Sequence, residues 1–285
     1  MKKILRYIGI TTIISLSFII SEKTTTVVKD IDQIMTELKE QRKTYIKEPE
    51  NAIIKDNTII PGLNGKEIDI DLSYKEMKKI GKFNEKNIIF KQIKPEITIN
   101  NQYDKYIISG NKTKNTISLI FTVYEYDNIE NIRNILNINN IKSTFFIEPK
   151  WLEKNNELTQ QLIKEGHTIG TLSYNNNYQN SENIWMNNII KILGKQKYTY
   201  CYTEEENETN LKSCAIQKSY TIKPNIITKK EPLIEIKKNI TSGSLIAMPI
   251  NKETNEQLEL IIKYIKTKGY NIENIQTHLS EKNDN

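Results

Sequence analysis

Two neighbouring stretches decide the fold: IKSTFFIEPKWL at 141–152 and LTQQLIKEGHTIGTLSY at 158–174. In the first, Thr144, Phe145, Phe146 and Ile147 read as a strand. In the second, residues 157–165 have helical spacing and run through Gly166 into a strand over 168–172. A strand, a helix and a strand in such short order imply parallel neighbours in one sheet. The same rhythm extends outward. Ile117 to Phe121 predicts a buried strand, and Ile129, Ile132 and Leu136 mark a helix. Ile184, Trp185, Ile189, Ile192 and Leu193 mark another helix. Strands are expected at 198–201, 220–222, 244–248 and 270–275, with a helix at 207–218. Leu258, Ile261, Ile262 and Ile265 repeat at i, i+3, i+4 and i+7. Residues 115–285 therefore predict an α/β domain with a parallel sheet, open or closed into a barrel. In a parallel α/β barrel the functional residues stand at the C-terminal strand ends.

Upstream the pattern differs. Residues 56–114 predict a small β-rich unit. Pro61-Gly62-Leu63-Asn64-Gly65 is a turn cluster, and Ile68, Ile70 and Leu72 alternate with Asp69 and Asp71 as in a strand. Ser73 and Glu76 suggest a capping box for a short helix ending near Gly81. Residues 88–90 and 106–108 read as further strands. Residues 23–55 read as a juxtamembrane helix and linker, with Val28, Ile31, Met35 and Leu38 on one stripe that suits either a stalk or a docked helix. In residues 1–22, Lys2, Lys3 and Arg6 flank the start of the apolar run 4–20. That charge order predicts a signal-anchor, hence a single-pass cell-membrane protein with an extracytoplasmic domain. The alternative is secretion after signal cleavage.

Hydrophobic residues make up 37% of the chain, enough for a sizeable core. The formal net charge is +6, and Lys2, Lys3 and Arg6 supply half of it. The remainder is nearly balanced, which argues against nucleic acid as a partner. There are only two cysteines and two histidines.

The pattern TFF…W…GH.IG..S in the two opening stretches, with ISLIF at 117–121 and SGSLIAMPI at 242–250, resembles the polysaccharide deacetylase family, the NodB-homology type. The resemblance implies a distorted (β/α) barrel that removes acetyl groups from N-acetylated sugars. Such enzymes use a divalent metal held by one Asp and two His, a second Asp as base and another His as acid. The metal polarises the amide oxygen and activates water, and the acid protonates the leaving amine. Carried over residue by residue, the family's two aspartates fall on Thr122 and Val123. Its two metal histidines fall on Leu172 and Asn176, and its catalytic histidine falls on Pro249. His167 matches the family's structural GH-x-IG histidine, and no functional residue carries over. The two histidines are far apart in sequence, so no zinc or other divalent metal is expected. Glu125, Asp127 and Glu130 follow the first strand and read as solvated loop acids rather than a rebuilt site.

At the rim of such a barrel, Tyr124, Tyr126, Tyr174, Tyr200, Tyr202 and Trp151 are candidate sugar-stacking residues, with Tyr178 beside them. The alternative is that the tyrosines fill the vacated site. Cys201 and Cys214 are a candidate disulfide, the alternative being two buried thiols. The expected function is a catalytically inactive deacetylase-like protein that binds cell-wall polysaccharide or an envelope protein. The rivals are a divergent active carbohydrate deacetylase and a scaffold that interacts through 56–114.

Overall fold

The computed structural model describes residues 32–173, 177–178, 181–194, 196 and 198–283. Along the chain the first elements are α1 (Gln33–Tyr45), β1 (Ile53–Lys55), β2 (Thr58–Ile60), β3 (Gly65–Ile68), α2 (Ile70–Ile80), β4 (Phe90–Ile93) and β5 (Tyr106–Ile107). The alternating part follows: β6 (Thr116–Val123), α3 (Glu130–Ile138), β7 (Thr144–Ile147), α4 (Pro149–Lys154), α5 (Asn156–Lys164), β8 (Thr168–Thr171) and α6 (Ser181–Gly194). It continues with β9 (Thr199–Tyr202), α7 (Glu208–Ile216), β10 (Ser219–Ile222), β11 (Ile226–Ile227), α8 (Pro232–Asn239), β12 (Leu245–Pro249), α9 (Lys252–Thr267), β13 (Asn271–Ile272) and α10 (Ile275–His278).

Two compact units divide the chain, at other places than residues 56 and 114. Of the described residues, the smaller holds 32–49, 64–94 and 283, and the larger holds those of 50–63 and 95–282. The reason lies in strand pairing: β2 and β5 hydrogen-bond in parallel, and β5 continues onto β10, so both belong to the large sheet. The smaller unit is not purely β. Its β3 and β4 pair antiparallel, and α1 and α2 bury Ile34, Leu38 and Met77 against Ile68. The strand expected through Leu72 stops at Ile68, because the Asp69 side chain accepts from Leu72 N and caps α2. Ser73 is not the cap; it is buried, accepting from Ile89 N at 2.9 Å and donating to Ile89 O at 3.2 Å. Gly81 ends this helix with φ 76°, a left-handed conformation that glycine adopts without strain.

The larger unit is built on an 11-stranded sheet in the order β1-β2-β5-β10-β9-β8-β7-β6-β12-β11, with β13 added to β6. All its pairs are parallel except β1 with β2. Among the described residues this ladder does not return to its starting strand, so the expected barrel is an open, curled sheet. One edge, β11, is only two residues long, and the other, β1, is solvent-exposed. Every residue of β6 is buried. Successive side chains alternate across the sheet. Ile117, Leu119, Phe121 and Val123 join the outer core with Ile132 and Leu136 of α3 and Leu258, Ile261 and Ile265 of α9. Ile120 joins the inner core with Phe146, Leu172, Tyr200, Ala247 and Ile107. Each such aliphatic or aromatic side chain contributes about 1.5–3 kcal/mol on burial. Gly170 is required here: a Cβ would lie 2.4 Å from Phe146 Cε1.

The expectation of a single-pass membrane protein is corrected. No helix among the described residues is long and apolar enough to cross a membrane. The segment 1–22, on which that expectation rested, lies outside the described residues.

Both histidines are internal. His278 Nδ1 lies 2.8 Å from Thr116 Oγ1, and Nε2 lies 3.1 Å from the Gly243 carbonyl. The carbonyl can only accept, so Nε2 carries the proton and Nδ1 accepts from Thr116. His167 Nδ1 accepts from Ser143 N at 3.1 Å, and its ring stands edge-on to Phe145. Burial pushes both imidazoles down to about 4. The unfolded chain binds these protons near pH 6.5, so stability is complete above that pH and falls as pH drops towards 4. At pH 5 the loss is on the order of 1–2 kcal/mol per histidine. Urea unfolding at pH 7 and pH 5 measures it; imidazoles that titrate near 6.5 in the folded protein would contradict it.

Cys201 on β9 and Cys214 on α7 form a disulfide that closes a 13-residue separation. Both are fully buried beside Tyr178. Replacing both with serine is expected to lower stability by about 3 kcal/mol. A chemical denaturation midpoint unchanged in the double variant would refute this.

Candidate functional site

The C-terminal ends of the parallel strands meet as the register requires. Thr122 pairs with Pro249 on β12 and with Phe146 on β7, and Ile147 pairs with Thr171 on β8. Beside these ends lies a cleft of about 260 Å³, lined by polar Thr122, Tyr124, Tyr202, Glu204, Thr228 and Lys229 over Ala247, Met248 and Pro249. Loops at this end of a parallel sheet are where α/β folds carry their sites.

The positions that the family uses for chemistry are distributed as follows. Thr122 is 4% exposed and lines the cleft. Val123 is sealed in the outer core, and Leu172 is packed in the inner core. Pro249 is half-buried at the cleft wall. Asn176 lies outside the described residues, as does Tyr174. Leucine, valine and proline side chains offer neither a lone pair to a cation nor a transferable proton. Among the described residues no group of three or more His, Cys, Asp or Glu is arranged to hold a metal ion. Both histidine rings are committed to the interior. The donor set therefore does not fit the family's divalent metal.

The loop acids after β6 have partners of their own. Glu125 pairs with Lys154 at 2.6 Å, which holds its carboxyl below the usual range, and Lys150 stands 4.0 Å away. Asp127 accepts from Tyr124 N at 2.7 Å, yet burial pushes its carboxyl up. Glu130 pairs with Arg133, which also clamps Glu165.

The aromatic candidates divide sharply. Tyr124 is 50% exposed and Tyr126 is 86% exposed, with Lys154 over the Tyr126 ring. Trp151 is not available for stacking: it is buried, and its indole N–H donates to the Asp127 carbonyl at 2.8 Å. Tyr200 is buried in the inner core near Tyr220. Tyr202 is buried too, except that its hydroxyl reaches the cleft and donates to Glu204 Oε1 at 3.2 Å. The physical reason is alternation. Tyr200 and Tyr202 sit on the strand proper and face the inner core, whereas Tyr124 and Tyr126 follow the strand end. Tyr178 is a buried brace: its oxygen lies 2.9 Å from Thr171 O and 2.7 Å from Tyr202 O, and accepts from Tyr202 N at 3.0 Å.

Sequence reasoning missed Glu204, taking the acidic run 204–206 for solvated loop. The available signal was the two-residue step from Tyr202, which keeps Glu204 on the cleft side. The Tyr124 hydroxyl is pushed up by burial and by the negative charges of Glu204, Asp127 and Glu148.

The polysaccharide deacetylase family profile matches residues 109–228. The uncharacterized protein YlxY of Bacillus subtilis (strain 168) is 29% identical over 266 residues, covering 87% of this chain and 83% of its own length. The crystal structure of wild-type BA3943, a CE4 family pseudoenzyme from Bacillus anthracis, matches with TM-score 0.67 and 26% identity, over 88% of this chain and 96% of that one. A BA3943 mutant described as having restored enzymatic activity matches equally well, with TM-score 0.67 and 25% identity over 88% of this chain and 99% of that one. Bacillus subtilis PdaA, a family 4 carbohydrate esterase, shares the fold with TM-score 0.55 at 18% identity, over 81% of this chain and 97% of that one. The alternating strands, the strand-end cleft and these likenesses agree: residues 109–228 match the polysaccharide deacetylase family, and where that resemblance places metal ligands and catalytic groups this chain has Thr122, Val123, Leu172, Asn176 and Pro249.

Proposed function

We propose that this chain binds cell-wall glycan through the strand-end cleft and does not deacetylate it. One observation carries the reading: the cleft that would hold a metal and an acid–base pair is walled by Thr122 and Pro249, while Val123 and Leu172 are turned into the two cores. What remains at the rim is suited to recognition rather than to bond cleavage. Tyr124 and Tyr126 expose ring area next to carboxylates, and aromatic faces with adjacent polar groups suit sugar rings. The likeness to BA3943, a pseudoenzyme of the same fold, supports the absence of catalysis.

The purified chain, supplied with zinc, is expected to release no acetate from N-acetylated chitooligosaccharides or peptidoglycan. Metal-dependent acetate release that disappears in Glu125→Ala or Asp127→Ala would show a site rebuilt from the loop after β6 and would sink the proposal. Independently, Tyr124→Ala is expected to weaken binding of soluble glycan fragments by about 1 kcal/mol, some fivefold, in a calorimetric titration. An unchanged affinity would remove Tyr124 from the binding surface.

A further inference from the structure

The charges around the cleft are unevenly compensated. Carboxylates nearby are matched by lysines: Glu125 by Lys154, and Glu206 by Lys223 at 2.7 Å. Among the described residues, Glu204, Asp127 and Glu148 have no lysine or arginine within ion-pair distance. Glu204 lines the cleft directly, oriented by the Tyr202 hydroxyl. Asp127 and Glu148 add negative potential on the Tyr124 side, and all three charges are felt at the Tyr124 hydroxyl. Lys229 also lines the cleft, after β11, whereas Glu204 follows β9, and among the described residues no ion pair joins the two.

A second observation points to a ligand. Thr122 is 96% buried, as 4% exposure implies, and it lines the cleft. Its hydroxyl makes no hydrogen bond among the described residues. The oxygen opens onto the cleft, where an entering group can supply its partner. A sugar hydroxyl does so, because it both donates and accepts.

We propose that this cleft selects amino sugars whose amine is free, and therefore an ammonium, over their N-acetylated counterparts, with Glu204 as the ammonium's partner and Thr122 as a partner for a ring hydroxyl. The inference rests on the glycan-binding reading above and names the glycan class. An ammonium gains a charge-assisted hydrogen bond from Glu204, whereas an acetamide offers only a neutral N–H. A cleft of about 260 Å³ is smaller than a drug-sized pocket and suits a single sugar ring. On this reading, the chain recognises what a deacetylase leaves behind.

The test is calorimetric titration of the whole chain with a β-1,4-linked glucosamine tetramer and with the N-acetylglucosamine tetramer, in mildly acidic buffer that keeps the sugar amine protonated. The glucosamine tetramer is expected to bind roughly fivefold more tightly, the upper end of what an exposed ion pair supplies. Glu204→Gln, which keeps an acceptor for Tyr202, is expected to abolish that preference while the thermal midpoint stays unchanged. Thr122→Val is expected to weaken both tetramers alike. Equal affinities in the wild type, a preference for the acetylated tetramer, or equal binding of spermidine would overturn the selectivity while leaving glycan binding intact. A preference that survives Glu204→Gln would overturn its assignment to that residue. Binding of neither tetramer would overturn the glycan reading itself.

Discussion

The structure depends on β6 having no face turned to water. A strand buried on both sides must be covered twice. Helices α3 and α9 cover one face with Ile132, Leu136, Leu258, Ile261 and Ile265. The curl of the sheet covers the other, bringing Phe146, Tyr200 and Leu245 onto it together with Ile59, Ile107, Ile275 and Leu279. The β2 and β5 strands and α10 are therefore parts of the large unit despite their distance from it in sequence. They close a layer that strands β6 to β12 cannot close alone.

That same constraint shapes the candidate site. The candidate site lies where β6 ends, and each position there is decided by which face it inherits. Thr122 inherits the cleft, and Val123 inherits the outer core. Leu172 extends the inner core beyond β8. With apolar residues at these strand ends, the cores run up to the cleft, whose polar lining is Thr122, Tyr124, Glu204, Thr228, Lys229 and the Tyr202 hydroxyl. Tyr178, the disulfide between Cys201 and Cys214, and the Thr171 and Tyr202 carbonyls form a buried brace under this end.

Much was legible in the sequence because it rests on local periodicity. The strands at 117–121, 144–147 and 244–248 and the helix bearing Leu258 to Ile265 follow from runs whose spacing allows no other element. The loss of the family's motifs was equally legible, since Thr122, Val123, Leu172, Asn176 and Pro249 are what they are in any fold. The small unit was less legible. Ile68, Ile70 and Leu72 alternate as a strand would, yet Asp69 caps a helix in their midst. Local alternation over five residues does not outweigh a good cap and the burial of Met77 against Ile34 and Leu38.

The sequence by itself determined the α/β class, the alternating order of elements after residue 115 and the missing catalytic set, because each depends on residues near one another in the chain. Only the tertiary structure decided that the sheet stays open, that β2 and β5 belong to it, and that Trp151, Tyr200 and Tyr202 are core rather than rim while Glu204 faces the cleft. Those outcomes depend on which strands pair and which face each strand end inherits, and pairing between distant strands leaves no mark in local spacing.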